Sequence, residues 1–103
     1  MPLELRPNCE CCDKDLPVDA ADAMICTYEC TFCKYCVETV LLNVCPNCGG
    51  GFENRPIRPA LDRRKGVSRV FQPASTNRRY AKYSEQEMRD FAQEHHRIQP
   101  HDR

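Results

Sequence analysis

The stretch CTYECTFCKYC, residues 26–36, decides the fold, because it places four cysteines within eleven residues. Three, two and two residues separate them in turn. The chain has nine cysteines, all between residues 9 and 48, and the last 55 residues contain none. Cysteines at such density serve either as disulfide partners or as metal ligands. The first question is therefore which of these two chemistries the sequence favours.

Composition and the N-terminal sequence favour metal binding. A chain of 103 residues with no Trp, eight Pro and 29% charged residues can bury only a small apolar core. The opening MPLELRPNCE lacks the basic stretch and apolar run of a secretory signal, and nothing in the sequence is apolar enough to span a bilayer. We therefore expect a cytoplasmic protein without membrane contact. Reducing conditions keep thiols available as ligands, and an odd number of cysteines fits a disulfide framework poorly.

Eight of the nine cysteines form four pairs with the spacing of metal ligands. A gap of two or three residues lets both sulfurs of a turn approach one tetrahedral ion at about 2.3 Å, while amides of the turn donate hydrogen bonds to them. Four pairs make two sites of four sulfurs each, and such closed sites leave no open position for water or substrate. The pattern predicts two structural Zn²⁺ ions.

The pairs can be combined in sequence order or interleaved. We favour interleaving, because the crowded central stretch then contributes to both metals and locks the two halves of the domain together. Site 1 would comprise Cys9, Cys12, Cys33 and Cys36, and site 2 would comprise Cys26, Cys30, Cys45 and Cys48. Cys11 is then a spare thiol, or an alternative ligand in place of Cys9. Sequential pairing stays open at this point.

The segment ICTYECTFCKYCVETVLLNVCPNCGGGF resembles the core of RING-type cross-brace and treble-clef zinc domains. It shares their pair order, an aromatic residue before the fifth ligand (Phe32), a short helix after the sixth, and a proline after the seventh (Pro46). The resemblance implies a small irregular α+β domain held by zinc, with one short helix and a small hairpin. More narrowly, LELRPNCECCDKDLP, CTFCKYC and CPNCGGGF followed by RPIRP are similar to a small bacterial Cys-rich family of unknown function, over most of residues 3–60.

Many RING domains are ubiquitin ligases, but this chain departs from the ligase pattern at each contact position. Cys11 occupies the place of the apolar side chain in the first zinc loop, and Gly49 stands where a cationic residue follows the last ligand. The sequence also has no Trp. Ligase activity is therefore a lesser alternative.

An iron–sulfur cluster is a second lesser alternative. Cys30, Cys33 and Cys36 followed by a Cys-Pro pair have the order of a ferredoxin motif. The motif needs three residues before its last cysteine, and this chain has eight. A cluster would also leave four other paired cysteines without a role.

Residues 54–83 differ from the cysteine-rich part in charge. They contain nine basic side chains and one acidic one, whereas residues 1–53 contain nine acidic and three basic ones. Three prolines and the lack of any regular apolar period predict a flexible, extended arm. Phosphate contacts could come from its cations, with Phe71, Tyr80 and Tyr83 available for base stacking. The candidate nucleic-acid-binding residues are Arg63, Arg64, Lys65, Arg69, Arg78, Arg79 and Lys82.

Two short helices are predicted. The apolar spacing of VETVLLNV, residues 37–44, indicates a core helix, and Phe52 should pack back on the zinc core. Residues 84–98 are predicted as an amphipathic helix, since Ser84 and Glu87 have the spacing of a capping box. We expect residues 99–103 to be a disordered tail.

These observations predict a two-zinc domain over residues 1–53, the basic arm, and the C-terminal helix. There is no glycine-rich phosphate loop, and no histidine near the cysteines to activate a thiolate, so we expect no enzymatic activity. The favoured function is a zinc-held module that contacts another protein. The alternative is nucleic-acid binding through the basic arm.

Overall fold

The computed structural model describes residues 2–103, and its regular elements are short. In chain order they are β1 (Ala23–Ile25), β2 (Thr31–Cys33), α1 (Lys34–Thr39), β3 (Glu53–Asn54), α2 (Glu85–His95) and a 3-10 turn (Pro100–Asp102). The three strands form one antiparallel sheet in the order β2-β1-β3. Its register pairs Met24 with Phe32 and with Asn54. The molecule is thus a small α+β domain, as the sequence indicated.

The hairpin between β1 and β2 is the framework of the cysteine-rich stretch. Its loop carries Cys26 and Cys30, joined by a hydrogen bond from the Cys26 amide to the Cys30 carbonyl at 3.2 Å. Glu29 has a φ of 67°, a left-handed conformation that reverses the chain within the loop. β2 ends at Cys33 and α1 starts at the next residue. Cys30, Cys33 and Cys36, each separated by two residues, therefore lie in a loop, at a strand end and in a helix.

The prediction of a helix over residues 37–44 is wrong in its boundaries. α1 begins three residues earlier and ends at Thr39. Leu42 and Asn43 have φ values of 46° and 62°, so the chain leaves the helix through two left-handed residues. The Asn43 side chain accepts the Phe52 amide at 2.9 Å, which ties this turn to the segment before β3. The four apolar residues of the predicted stripe are nevertheless buried, because the tight turn keeps them on the core side.

Cysteines make up much of the core. Phe32 and Leu41 are fully buried, and the Phe32 and Phe52 rings meet edge to face with centroids 5.4 Å apart. Phe52 therefore packs on the core as predicted. Six of the eight paired cysteines belong to the same buried cluster, and they are Cys9, Cys26, Cys30, Cys33, Cys36 and Cys45. The interior is small, and sulfur atoms occupy much of it.

The segment between β3 and α2 follows the surface of the cysteine-rich part in turns and extended backbone. Arg55 is buried and donates to the carbonyls of Arg6, Leu16 and Pro17. Ser68 is also buried. The mobility that the sequence predicts for this arm stays a prediction.

α2 has the predicted N-terminus. Ser84 Oγ accepts the Glu87 amide at 3.1 Å, and Glu87 Oε1 accepts the Ser84 amide at 3.0 Å, which confirms the capping box. Met88 and Ala92 are buried against the core side. Residues 99–103, expected to be a disordered tail, include the 3-10 turn. Here Arg103 donates to the carbonyls of Asn43 and Gly49.

Candidate metal centres

The first candidate centre combines cysteines from two distant segments. The sulfurs of Cys9, Cys12, Cys33 and Cys36 all lie within 4.8 Å of one another. The first two come from the loop after the N-terminal segment, and the others come from the end of β2 and the first turn of α1. Three of the four side chains are buried, and Cys12 is exposed. This is the group that interleaved pairing brings together and that sequential pairing does not.

The second candidate centre gathers three sulfurs in the same way. Those of Cys26, Cys45 and Cys48 lie within 4.8 Å of one another. Cys30, predicted as the fourth member, is buried in the same core cluster as Cys26 and Cys45, and its proximity lowers the pKa of Cys26 and raises that of Cys45. The Asn47 side-chain amide donates to the Cys30 sulfur at 3.4 Å. Cys30 is therefore adjacent to the centre without meeting the 4.8 Å separation from all three members.

Sulfur separations in the first centre match those around a single tetrahedral ion. The Cys12 and Cys33 sulfurs are 3.7 Å apart. Two sulfurs bonded at 2.3 Å to one tetrahedral ion are separated by about 3.8 Å. The same distance is far too long for a disulfide, whose sulfurs lie about 2.05 Å apart. All nine cysteines are free thiols in this structure. The donor sets thus fit a metal ion that prefers four sulfur ligands.

Backbone amides point at the sulfurs from the turns that carry them. The Tyr28 amide donates to the Cys26 sulfur at 3.3 Å, and the Gly50 amide donates to the Cys48 sulfur at 3.4 Å. Hydrogen bonds of this kind stabilise a thiolate and fix its direction.

The thiols of one centre shift each other's pKa in opposite directions. Hydrogen bonding to Cys36 lowers the pKa of Cys9 to about 5, whereas burial raises the pKa of Cys33 to about 11. In the second centre, hydrogen bonding to Cys30 lowers the pKa of Cys26 to about 3, and Cys26 in turn raises the pKa of Cys45. Four crowded sulfurs cannot all carry negative charge without a cation among them, and a divalent ion removes that repulsion.

Cys11, the spare thiol of the sequence prediction, lies next to the first centre. It is half-buried, and its thiol hydrogen bonds with Cys36, which lowers the pKa of Cys11. The structure groups Cys9, not Cys11, with the other three sulfurs.

A buried ion pair supports the first centre, and the sequence analysis missed it. Glu10 stands between two ligand candidates and is 6% exposed. Its Oε2 accepts the Thr31 amide at 2.6 Å and the Arg6 guanidinium at 2.9 Å. Burial raises the pKa of Glu10, the largest of several opposing effects. This carboxylate attaches the first cysteine loop to β2, and its only sequence signal is a charged residue placed inside a cysteine motif.

The candidate nucleic-acid-binding cations fall into two groups. Arg78 pairs with Asp13 and Asp15, and Arg79 pairs with Glu4. Arg63, Arg64 and Lys65 are exposed, and none has a carboxylate within 4.0 Å among residues 2–103. Lys82 lies over the Tyr83 ring at 5.7 Å, and Arg69 is half-buried. Among the described residues, only part of the predicted basic surface is therefore both exposed and free of ion pairs with carboxylates.

Among the described residues, a helix could cross a bilayer only if it were long and apolar enough to span the hydrocarbon core. Neither α1 nor α2 combines the length and the apolar character that a bilayer span requires.

Fold and sites together define a small Cys-rich α+β domain with two candidate metal centres. The chain belongs to the family described as "Protein of unknown function (DUF1272)", whose model matches residues 2–58. It is 60% identical over 74 residues to an uncharacterised protein of Rhizobium meliloti (strain 1021), a match that covers 69% of this chain and 88% of that protein. No solved structure matches this chain. The family match contains both centres and excludes most of the arm and α2.

Proposed function

We propose that the chain is a two-zinc module that presents a folded surface to another protein and catalyses no reaction of its own. The observation that carries the proposal is the grouping of thiols from separated segments into two compact sets. Each set joins parts of the chain that a core this small cannot hold alone. A metal in either set would act on the fold as a whole.

Zinc fits these sets of sulfur donors better than an iron–sulfur cluster does. Zn²⁺ takes four sulfur ligands in tetrahedral geometry, and such closed sites are structural. A sulfur pair 3.7 Å apart suits two ligands of one ion. The cysteines of an iron–sulfur cluster are divided between two or more iron atoms, whereas all four sulfurs of the first centre lie within 4.8 Å of one another, as around a single ion. Residues Cys9, Cys12, Cys33 and Cys36 would hold one ion, and Cys26, Cys30, Cys45 and Cys48 the other. Thiolate sites also need a reducing compartment, which favours the cytoplasm.

Exposed aromatic side chains support the interaction role. Tyr28, in the loop of the second centre, is 71% exposed, and Tyr35, in the first turn of α1, is 73% exposed. Tyrosine is enriched in protein interfaces because its ring buries a large area at low entropic cost. Both residues lie on segments that the candidate metals would make rigid.

Nucleic-acid binding is the second candidate, and one observation favours it. Arg63, Arg64 and Lys65 are consecutive, exposed cations, and Phe71 nearby in sequence is 64% exposed. Cations and an accessible ring are the elements of non-specific single-strand binding. Binding of this type would weaken steeply with salt.

Native mass spectrometry of the purified, untagged chain tests the metal part of the proposal. We expect two zinc ions per chain, and loss of the folded charge-state distribution after chelation. Metal-free protein that keeps the same fold would overturn the proposal. A brown colour with iron in the spectrum would replace zinc by a cluster.

Binding assays on two full-length variants distinguish the two candidate functions. Tyr28→Ala with Tyr35→Ala should weaken capture of a protein partner, and Arg63→Ala with Arg64→Ala and Lys65→Ala should not. Tight, salt-sensitive binding of an oligonucleotide that the triple variant loses would instead establish the nucleic-acid function.

A further inference from the structure

A segment of the arm runs beside the first cysteine loop as an added strand would. The Ser75 amide donates to the Leu5 carbonyl at 3.0 Å, and the Ala81 amide donates to the Glu10 carbonyl at 2.8 Å. Residue numbers rise together on both sides, so the two stretches are parallel. The carbonyls of Leu5 and Glu10 are therefore acceptors for an extended chain, as when a peptide joins an exposed backbone edge.

Asn8 holds the middle of this segment through its side chain. Its Nδ2 donates to the Arg79 carbonyl at 2.8 Å, and its Oδ1 accepts the Arg79 amide at 3.0 Å. An amide side chain that bonds both backbone groups of one residue recognises extended backbone and not a particular side chain. Asn8 is fully buried, which fixes both its groups in place.

Side-chain recognition comes from two aspartates. Arg78 Nη1 donates to Asp15 Oδ1 at 2.7 Å, and Arg78 Nε and Nη2 donate to Asp13 Oδ1 at 3.1 and 2.7 Å. Its Nη2 also donates to the Asp13 carbonyl at 2.8 Å. These hydrogen bonds raise the pKa of Arg78. The planar guanidinium can donate to both aspartates at once, and a lysine ammonium cannot reproduce that geometry.

The surface is built from the family core, whereas its occupant is not. Leu5, Asn8, Asp13 and Asp15 lie within the residues that the family model matches, 2–58, and the segment 75–81 lies outside them. The Asp13 amide donates to the Cys9 carbonyl at 2.9 Å, which connects the surface to the first candidate centre. Asp15 is 82% exposed and Arg78 is 36% exposed, so the ion pairs are screened by water and the segment can exchange.

We propose that this surface, formed by residues 5–15, is a binding site for an extended, arginine-bearing segment of a partner protein. The chain's own residues 75–81 occupy it in the absence of that partner. This inference rests on the proposed interaction function and names the chemistry of the partner. A partner segment must compete with an internal one whose effective concentration is on the order of millimolar, so strong binding needs further contacts elsewhere.

The test uses full-length protein in which the internal segment is released. Arg78→Ala removes the guanidinium that bonds to Asp13 and Asp15, and Arg79→Pro removes the backbone amide that donates to Asn8. The probe is a synthetic peptide with the sequence of residues 73–83, PASTNRRYAKY, titrated into ¹⁵N-labelled protein. We expect amide shifts confined to residues 5–15 and their neighbours. The double variant should bind about fivefold more tightly than the wild-type chain, whose site is already filled.

Matched controls identify the contacts. A peptide carrying Arg78→Lys keeps its charge and should bind the double variant about fivefold more weakly. Asp15→Asn, introduced into the double variant, should reduce the difference between the two peptides, because the Asp15 carboxylate bonds only to Arg78 among the described residues, whereas Asp13 still accepts from the guanidinium. Equal binding of both peptides to the chain with Asp15 intact would overturn the site.

Metal content measured on the same samples keeps this test separate from the proposed zinc function. A double variant that holds two metals and gives no shifts at millimolar peptide overturns the peptide site alone. If the double variant no longer gives the NMR spectrum of a folded protein, the same titrations are made on the Arg78→Ala single variant. The native peptide should again bind more tightly than the Arg78→Lys peptide.

Discussion

The two parts of the chain are held by different means. Residues 9–52 contain both candidate centres, and their buried cysteines lie in one cluster with Phe32 and Phe52. Beyond the buried Arg55 at its start, the arm and α2 attach to this part mostly through exposed ion pairs, a few hydrogen bonds that include those of Asn8, and two buried side chains of α2. A small domain can thus combine a part that folds only as a unit with a part that detaches at low cost. The expected effects of mutation should differ accordingly.

The largest effect should come from the first candidate centre. Structural Zn²⁺ contributes about 10 to 16 kcal/mol of apparent binding free energy in small peptides, far more than a core of this size supplies. Cys33→Ser should therefore remove one metal and unfold residues 9–52, measured by native mass spectrometry and circular dichroism. Cys11→Ser is the matched control, since Cys11 is outside the group of four sulfurs, and it should leave the metal content unchanged. The opposite result for the two variants would refute the ligand set.

Pair spacing made the cysteine groups predictable, because ligands must converge on one point whatever the intervening backbone does. The capping box was predictable because it depends on residues close in sequence, whereas the hairpin was expected only from the resemblance to cross-brace zinc domains. Glu10 and Asn8 were not, because their partners lie at Thr31 and Arg79, far along the chain. The end of α1 at Thr39 was predicted wrongly, because the same apolar spacing occurs in a helix and in a tight turn that buries the same residues.

A second effect, smaller than metal loss, should come from the apolar part of the core. Phe32 is fully buried and contacts Phe52 edge to face. Phe32→Ala should cost about 3 to 5 kcal/mol of stability in the metal-loaded protein. Chemical denaturation at fixed excess zinc measures it. A loss below about 1 kcal/mol would mean that the metals alone hold this region and that apolar packing is incidental.

α2 offers a test of intermediate size. Ser84→Ala removes the hydroxyl that accepts the Glu87 amide. The expected cost is about 1 kcal/mol, confined to α2, because the cap satisfies an amide that the helix itself cannot. Hydrogen exchange of the α2 amides should rise, and exchange in β1 and β2 should not. Equal acceleration in the sheet would show that α2 and the cysteine-rich part unfold together, and α2 would then not be a separately detachable part.

The smallest effect should come from the ion pair that connects the arm to the N-terminal segment. Arg79 Nη2 lies 3.1 Å from Glu4 Oε2, and the two side chains are 48% and 28% exposed. Water and salt screen such a pair, so Arg79→Gln should cost only about 0.2 to 1 kcal/mol of local protection at the Ser75 and Ala81 amides. Arg63→Gln removes an exposed cation of the same arm that has no carboxylate partner among residues 2–103, and it should change nothing. Raising salt should reproduce the Arg79→Gln effect in the wild-type chain and leave the sheet amides as they were, because the sheet depends on backbone hydrogen bonds and buried side chains. Protection that survives both the substitution and high salt would show that the hydrogen bonds to the Leu5 and Glu10 carbonyls and to the Asn8 side chain hold the arm by themselves. Its attachment would then be less easily reversed than its exposed charges indicate.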